Sequence, residues 1–207
     1  LDAGISLVGI TPLISACRNG HSKVVNVLLA LDGIDVNYRK DNGATALFSS
    51  SFNGHLKIVE RLLAVGGIDV NQATNQKRTP LYVACEKGHL KVVEMLLEVD
   101  GIQVNQPDNE GTPPLWISCQ EGHSKVVQML LAVDGIQVNQ ADNEECTPLF
   151  MACQDGHWKV VEMLLAVENI QANQANNDKA TPLSVACQND HSKVVRMLLA
   201  ADGIQVN

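Results

Sequence analysis

Aromatic residues, long apolar runs and positive charge are all scarce in this sequence. Only seven of its 207 residues are Phe, Trp or Tyr, far fewer than enzyme cores or proteins that stack on nucleic-acid bases usually contain. No apolar run approaches the ~20 residues that a membrane-spanning helix needs. The formal net charge of −8 disfavours tight binding to phosphate backbones. We therefore expect neither a nucleic acid nor a membrane as the partner.

The acidic excess lies in the second half of the chain. Residues 1–102 contain ten basic and ten acidic residues, whereas residues 103–207 contain five basic and thirteen acidic ones. Hydrophobic residues make up 45% of the chain and charged residues 18%. This is enough apolar material for a folded core and too little charge for a disordered chain.

The same residues recur every 34 positions along the chain. Thr-Pro-Leu begins at four of these positions, Thr11, Thr79, Thr147 and Thr181. All six histidines keep the same spacing: His21, His55, His89, His123, His157 and His191. A fixed period of this length is typical of repeat proteins, so the sequence predicts six equivalent units.

Each unit carries two helical patterns. In the first unit Thr11 is a suitable N-cap and Pro12 suits the first helical position. Apolar or small residues then follow at helical spacing: Leu13, Ala16, Cys17 and Gly20. The second helix has a broader apolar face and is predicted to end near residues 32–33, where Asp-Gly stands. The segment after it predicts a short extended arm and then a polar turn.

No single unit can bury its own apolar faces, so neighbouring units must stack. The first helices carry small residues (Ala, Cys, Gly) that allow close approach, whereas the second helices carry Val, Met and Leu. This difference in side-chain size predicts a curved stack. We expect the first helices and the apices of the polar turns, called the turn tips below, to lie on its concave side. A concave side of this kind is suited to binding a protein or peptide.

The chain resembles the ankyrin-repeat family. The resemblance rests on Thr79-Pro80-Leu81-Tyr82-Val83-Ala84 and on the Gly-His, Val-Val, Leu-Leu and Val-Asn pairs of nearly every unit. It implies an all-α ankyrin-repeat solenoid of stacked helix-turn-helix units with projecting turn arms. We expect a single domain over residues 1–207, with repeats at 5–38, 39–72, 73–106, 107–140, 141–174 and 175–207.

Histidines and cysteines at equivalent positions of stacked helices lie about 8–10 Å apart, too far apart to share a zinc ion or to form disulfides. We expect the histidines to bond backbone groups of adjacent units and the periodic cysteines to be buried. Cys146 breaks the period and is predicted to be partly accessible. The sequence predicts no metal, no cofactor and no catalytic activity. Free thiols favour a reducing, cytoplasmic location.

Four aromatic residues share one slot in consecutive units, where the ankyrin pattern has histidine. They are Phe48, Tyr82, Trp116 and Phe150. One interpretation is a stripe of apolar anchors for a partner. The other is that the rings fill the seam between units. Trp158 has no counterpart in the other repeats, and we expect it to be half-exposed.

The turn tips vary between units, with basic residues early and acidic residues late. In the ankyrin family, tips and exposed first-helix residues commonly contact partners. The corresponding candidates are Arg78, Glu86, Glu110, Gln120, Glu121, Glu144, Glu145, Gln154 and Asp155. We expect a partner with a basic segment on the acidic units. The alternative is that the acidic surface only keeps the chain soluble.

The apolar residues at the two ends of the chain bear on how the terminal repeats are covered. Residues 1–10 contain Leu1, Ile5, Leu7, Val8 and Ile10, which are expected to cover the first repeat. The last repeat is as apolar as an internal one, so we expect a piece of a longer array, or a monomer whose C-terminal end is open to end-to-end contact. Two other functions stay open: a spacer or engineered scaffold without a partner, and a substrate-recruiting segment of a larger protein.

Overall fold

A computed structural model describes residues 10–206 of the 207-residue chain. Twelve α-helices and no strand lie in this range. The first helices of the pairs are α1 (Pro12–Arg18), α3 (Ala46–Phe52), α5 (Pro80–Glu86), α7 (Pro114–Gln120), α9 (Pro148–Gln154) and α11 (Pro182–Gln188). The second helices are α2 (Ser22–Leu29), α4 (Leu56–Leu63), α6 (Leu90–Leu97), α8 (Ser124–Leu131), α10 (Trp158–Leu165) and α12 (Ser192–Ala200).

The chain divides into two compact units, Leu1–Gln103 and Val104–Asn207. From here on, unit 1 and unit 2 mean these two halves, and each 34-residue unit of the sequence is called a repeat. Unit 1 contains α1 to α6, and unit 2 contains α7 to α12. The single domain expected over residues 1–207 stays a prediction. The boundary falls at the change in charge, because unit 1 is balanced and unit 2 holds the whole acidic excess.

The first helices begin where the sequence predicts. The Thr11 hydroxyl accepts a hydrogen bond from Ile14 N at 3.2 Å, and Pro12 occupies the first turn. Thr45, Thr79, Thr147 and Thr181 cap α3, α5, α9 and α11 in the same way. In α7 the N-cap is Pro113, which has no side-chain oxygen to accept such a bond.

The second helices end earlier than predicted. Helix α2 ends at Leu29 with Ala30 as its C-cap, and a turn follows that includes Gly33 at φ +79°. A glycine is favoured there because this left-handed conformation is costly for a side chain. The predicted extended arm is also wrong in detail, since Val36 and Asn37 form a turn.

Asparagine side chains explain that turn. Asn37 Nδ2 donates to Gly67 O at 2.7 Å, and Asn37 Oδ1 accepts from Asp69 N at 2.9 Å. The same pair of bonds recurs at Asn105, Asn139 and Asn173 in unit 2. The asparagine amide thus bonds to a carbonyl and to an N–H of the following repeat. These two backbone groups would be left unpaired if the segment were an extended strand.

Within each unit the helix pairs stack side by side. In unit 1, α3 packs against α1 and α5, and in unit 2, α9 packs against α7 and α11. Second helices contact one another less extensively than first helices do, because their Val, Met and Leu side chains are larger. Leu62, Leu96, Leu130 and Leu164 of the second helices are fully buried.

The first and last helix pairs are less covered than the internal ones. Val24 and Val27 of α2 and Leu199 of α12 are exposed, with Leu199 at 52%. The sequence predicts that five apolar residues near the start cover the first repeat. Of these, Ile10 is half-buried, and the other four lie outside the described residues: Leu1, Ile5, Leu7 and Val8.

Candidate protein-binding surface

Three acidic side chains occupy equivalent positions at the turn tips of unit 2. Glu110, Glu144 and Asp178 are all exposed. Asn143 N donates to Glu110 O at 3.0 Å, and Asn177 N donates to Glu144 O at 3.0 Å. Successive tips are therefore tied to one another through the backbone of the residues that carry the carboxylates. These three residues are called the acidic tip row below.

Each tip is closed from inside by an aspartate or asparagine. Asp142 Oδ1 accepts hydrogen bonds from Glu144 N at 3.0 Å and from Cys146 N at 2.8 Å. Burial raises the pKa of the Asp142 carboxyl, and the charges of Glu144 and Glu145 act in the same direction, against the two backbone bonds. Asp108 closes the preceding tip, where its Oδ1 accepts from Glu110 N at 2.9 Å.

Two further predicted acidic residues lie at the ends of first helices. Glu121 and Asp155 are exposed C-cap residues of α7 and α9. Partial desolvation raises the pKa of the Asp155 carboxyl, while the nearby His157 and His191 act in the opposite direction. Glu145, the remaining predicted carboxylate of unit 2, is exposed and has a positive φ of 61°.

The predicted glutamines have mainly a backbone role. The side chains of Gln120 and Gln154 are half-buried. Their carbonyl oxygens accept bonds from His157 Nε2 at 2.8 Å and from His191 Nε2 at 2.9 Å. These two positions contribute less free surface than the acidic candidates around them.

The two charged candidates of unit 1 have a different electrostatic setting. Arg78 is half-buried, and its guanidinium lies over the Tyr82 ring at 5.3 Å from the centroid. Glu86 is half-buried, and one of its carboxylate oxygens lies 3.5 Å from Lys87 Nζ. The tips of unit 1 also carry Arg39, Lys40 and Lys77, so its candidate surface is not acidic.

The aromatic slot is mostly buried. Tyr82, Trp116 and Phe150 are 2%, 6% and 3% exposed, and Phe48 is half-buried with its ring stacked on Phe52. Trp116 Nε1 donates to Cys146 O at 2.8 Å. Rings that are covered to this extent offer a partner little surface. Their burial favours packing between repeats over a stripe of anchors.

The histidines bond the preceding repeat, as the sequence suggests. His55 Nε2 donates to Arg18 O at 3.1 Å and His89 Nε2 to Phe52 O at 3.0 Å. These carbonyls lie at the ends of first helices, where they have no intrahelical partner. The contact is tight, because a Cβ on Gly54 would lie only 2.7 Å from the His89 ring.

The expected accessibility of two cysteines is reversed. Cys146 is only 8% exposed, and Asn176 Nδ2 lies 3.7 Å from its sulfur. Cys187 is the exposed thiol, since no following repeat within the described residues covers α11. Cys17, Cys85, Cys119 and Cys153 are buried as predicted. Burial raises the pKa of Cys17 and of Cys153 to about 12.

Residues 10–206 were also compared with the requirements for a metal site and for a membrane-spanning helix. No group of three or more His, Cys, Asp or Glu side chains in this range is placed to hold a metal ion. None of the helices there has both the length and the apolar character that crossing a bilayer requires.

Sequence reasoning missed a second set of surface residues. Lys125, Lys159 and Lys193 follow the first residue of α8, α10 and α12, and all three are exposed. Trp158 lies beside them and is half-buried, as expected. The 34-residue recurrence of lysine directly after His-x was the signal that could have identified this surface.

Comparison with known proteins identifies the family. A family model described as "Ankyrin repeats (3 copies)" matches residues 2–74, 66–142 and 132–207. The chain belongs to the ankyrin-repeat family. It is an all-α ankyrin-repeat solenoid built of helix-turn-helix units. No curated protein sequence matches the chain.

A solved structure supports the same fold. The crystal structure of an ankyrin repeat domain from Acinetobacter baumannii AYE is similar, with a TM-score of 0.81 and 27% sequence identity. The match covers 92% of this chain and 97% of the Acinetobacter chain. Ankyrin repeats generally act as scaffolds for protein–protein interaction, and that general role is the one that the family supports here.

Proposed function

We propose that the protein binds a protein or peptide that carries a basic segment, through the turn tips and exposed first-helix ends of unit 2. The observation that carries this proposal is the acidic tip row, Glu110, Glu144 and Asp178. Its carboxylates are exposed, and the tips that carry them are joined by hydrogen bonds of 3.0 Å. Held at fixed positions, they lose little further backbone freedom when a partner binds.

The electrostatics of the free chain favour a cationic partner. The Asp142 pKa is raised partly by the charges of Glu144 and Glu145, which means that negative charge is crowded around this tip. A bound Lys or Arg side chain would relieve this repulsion. Unit 2 as a whole contains five basic and thirteen acidic residues, and a field of that sign attracts a basic segment over several ångströms.

The test uses a fluorescein-labelled synthetic peptide of alternating lysine and glycine as the probe. The triple variant Glu110→Gln/Glu144→Gln/Asp178→Asn should raise the dissociation constant about tenfold, because three exposed ion pairs contribute ~0.2–1 kcal/mol each. Fluorescence anisotropy gives the dissociation constant. Raised salt should slow association of the wild-type chain and weaken its binding.

A matched control separates a specific surface from a general effect of charge. Asp134, Glu168 and Asp202 are also exposed in unit 2 but lie in the loops that follow second helices. Neutralising these three residues changes the net charge by the same amount and should leave the affinity within about twofold. If both triple variants weaken binding equally, the acidic surface serves solubility and the proposed site is wrong.

A further inference from the structure

The charges of unit 2 are sorted between two kinds of element. Unit 2 contains five basic residues, and four of them lie on second helices: Lys125, Lys159, Lys193 and Arg196. Of its thirteen acidic residues, only Glu162 lies on a second helix. The second helices therefore form a basic surface on an otherwise acidic unit.

This basic surface contains a groove with an aromatic wall. Between α8 and α10 lies a groove of about 250 Å³ whose lining includes Lys125, Trp158, Lys159 and Met163. A second shallow groove of about 290 Å³ shares Trp158 and Lys159. Trp158 has no counterpart in the other repeats, where Ser or Leu occupies this position.

Lysines lie close to the indole ring. Lys193 Nζ of α12 is 2.9 Å from the centroid of the Trp158 ring, and Lys159 Nζ is 5.5 Å from it. Cation–π attraction holds ammonium groups in such positions. Lys193 therefore lies over one face of the indole ring, and the groove itself is lined by Trp158, Lys125 and Lys159.

The three lysines of this surface are not engaged in ion pairs with other described residues. Among residues 10–206, Lys125, Lys159 and Lys193 form no salt bridge, whereas Lys91 at the same repeat position of unit 1 pairs with Glu94 at 2.7 Å. The residue three positions after the lysine is Gln128 in α8, Glu162 in α10 and Arg196 in α12, so one carboxylate lies on this surface. The second helices also have no acidic residue in the first turn, so the positive ends of their dipoles add to the lysine charge.

We propose that this groove is a second interaction site, which binds an acidic segment of a partner protein. An apolar side chain of the segment packs against Trp158 and Met163, its carboxylates contact Lys125 and Lys159 in the groove, and Lys193 adds positive charge beside the ring. Charge complementarity selects the partner. A long polyanion such as a nucleic acid fits less well, because it would extend over the rest of unit 2, which is acidic. The site lies on second helices and is independent of the acidic tip row.

The test uses a fluorescein-labelled synthetic peptide of alternating glutamate and leucine, with the glutamine–leucine peptide as the uncharged comparison. The wild-type chain should bind the glutamate peptide at low salt and bind the glutamine peptide at least about tenfold more weakly. The triple variant Lys125→Gln/Lys159→Gln/Lys193→Gln should raise the dissociation constant about tenfold. The control is Lys23→Gln/Lys57→Gln/Lys91→Gln, which changes the same repeat position in unit 1 and should leave the affinity within about twofold.

Trp158→Leu tests the apolar wall, because Leu stands at this position in α4 and α6. The variant should weaken peptide binding several-fold, and the peptide should no longer change the tryptophan fluorescence, since Trp116 is buried. Circular dichroism checks that each variant is folded. The lysine variants test the site by themselves if Trp158→Leu does not fold.

Three results would overturn the proposal. The first is equal weakening by the unit 1 and unit 2 lysine variants. The second is tighter binding of single-stranded oligothymidylate than of the glutamate peptide. The third is wild-type self-association in sedimentation velocity that the unit 2 lysine variant abolishes, because the occupant is then a second copy of the chain. The Glu110→Gln/Glu144→Gln/Asp178→Asn variant should still bind the glutamate peptide, so this site and the acidic tip row can fail separately.

Discussion

Unit 1 and unit 2 contain the same helix pairs but present different surfaces. The buried positions of their helices hardly differ, as Leu62 of α4 and Leu130 of α8 illustrate with 0% exposure each. The tips differ in sign, with Arg39 and Lys40 in unit 1 and Glu144 and Glu145 in unit 2. Core positions are constrained by packing, whereas exposed tips are free to change. The fold therefore depends on residues that the two units share, whereas their surfaces differ in charge at the tips.

The cores of the two units also differ at one place. In unit 1, α3 carries Ser49, Ser50 and Ser51, all of which are buried. The corresponding residues of α9 in unit 2 are Met151, Ala152 and Cys153. Ser50 Oγ bonds two carbonyls of its own helix, but Ser51 Oγ is buried without a hydrogen-bond partner. Unit 1 therefore contains a polar defect at a position where unit 2 has a thiol.

The largest expected effect distinguishes packing from binding in the aromatic slot. Trp116→Ala should destabilise the protein by about 3–5 kcal/mol, because it removes a large buried ring and its bond to Cys146 O. Affinity for the lysine–glycine peptide should not change under conditions where the variant is folded. Urea unfolding and peptide anisotropy measure the two quantities. A small loss of stability combined with a large loss of binding would show that Trp116 contacts the partner rather than packing between repeats.

Leucine truncation tests whether the two units are equally well packed. Leu130→Ala and Leu62→Ala should each cost about 2–5 kcal/mol of unfolding free energy, since both side chains are fully buried. Leu199→Ala is the exposed control and should cost less than about 1 kcal/mol. Urea unfolding monitored by circular dichroism provides the values. A loss in one unit that is several times the loss in the other would break the equivalence of the cores.

The polar defect of unit 1 should be repairable. Ser51→Cys installs the residue that the other repeats have at this position and removes the unpaired hydroxyl. The change should stabilise the chain by about 1–3 kcal/mol. Ser50→Ala is the matched control and should give no gain, because the Ser50 hydroxyl is already bonded. If Ser51→Cys lowers the melting temperature, then the hydroxyl is satisfied in solution and the comparison of cores is wrong.

A smaller effect concerns the tips themselves. Glu145 has a φ of 61°, and the equivalent residues Gly43 and Gly111 adopt the same left-handed conformation. Glu145→Gly should stabilise the chain by about 1 kcal/mol, because a side chain is costly in this region. Glu144→Gly, one residue earlier and outside that region, should not. Thermal unfolding of both variants measures the difference. Equal shifts in melting temperature would show that backbone strain at the tip is negligible.

The smallest effect on stability is expected at the exposed thiol. Cys187 should react with a thiol reagent in the native state, whereas Cys153 should react only on unfolding because it is buried and its pKa is raised to about 12. Cys187→Ser should change stability by less than about 0.5 kcal/mol. Mass spectrometry of the modified chain locates the reactive residue. Native modification at Cys146 rather than at Cys187 would contradict the structure.

The repeat period allowed most of the fold to be predicted, because each position is observed several times in one sequence. Thr11 as the N-cap of α1 and the histidine bonds to carbonyls of the preceding repeat follow from local rules that apply in each repeat. Residues that depart from the period are harder to place from the sequence. The sequence predicts that Cys146 is partly accessible, because it breaks the period and lies in a turn arm. In the structure Trp116 and Asn176 contact it, and contacts between residues 30 positions apart cannot be inferred from one position.

The candidate surface was predictable only in part. The acidic tips could be found because their charges differ between otherwise similar repeats. The sequence placed the aromatic slot correctly but could not show whether its rings are covered, which depends on the neighbouring repeat. The Trp158 groove was missed for the same reason, since Lys193 reaches the ring from a different helix.

The central claim is that the acidic tip row of unit 2 binds a basic segment. An NMR titration of the ¹⁵N-labelled wild-type chain with the lysine–glycine peptide tests it most directly. The claim predicts that the largest shifts in amide resonances occur around Glu110, Glu144 and Asp178 and that residues 39–42 and 75–78 of unit 1 shift little. Shifts of equal size at the tips of both units, or shifts concentrated on second helices, would contradict it.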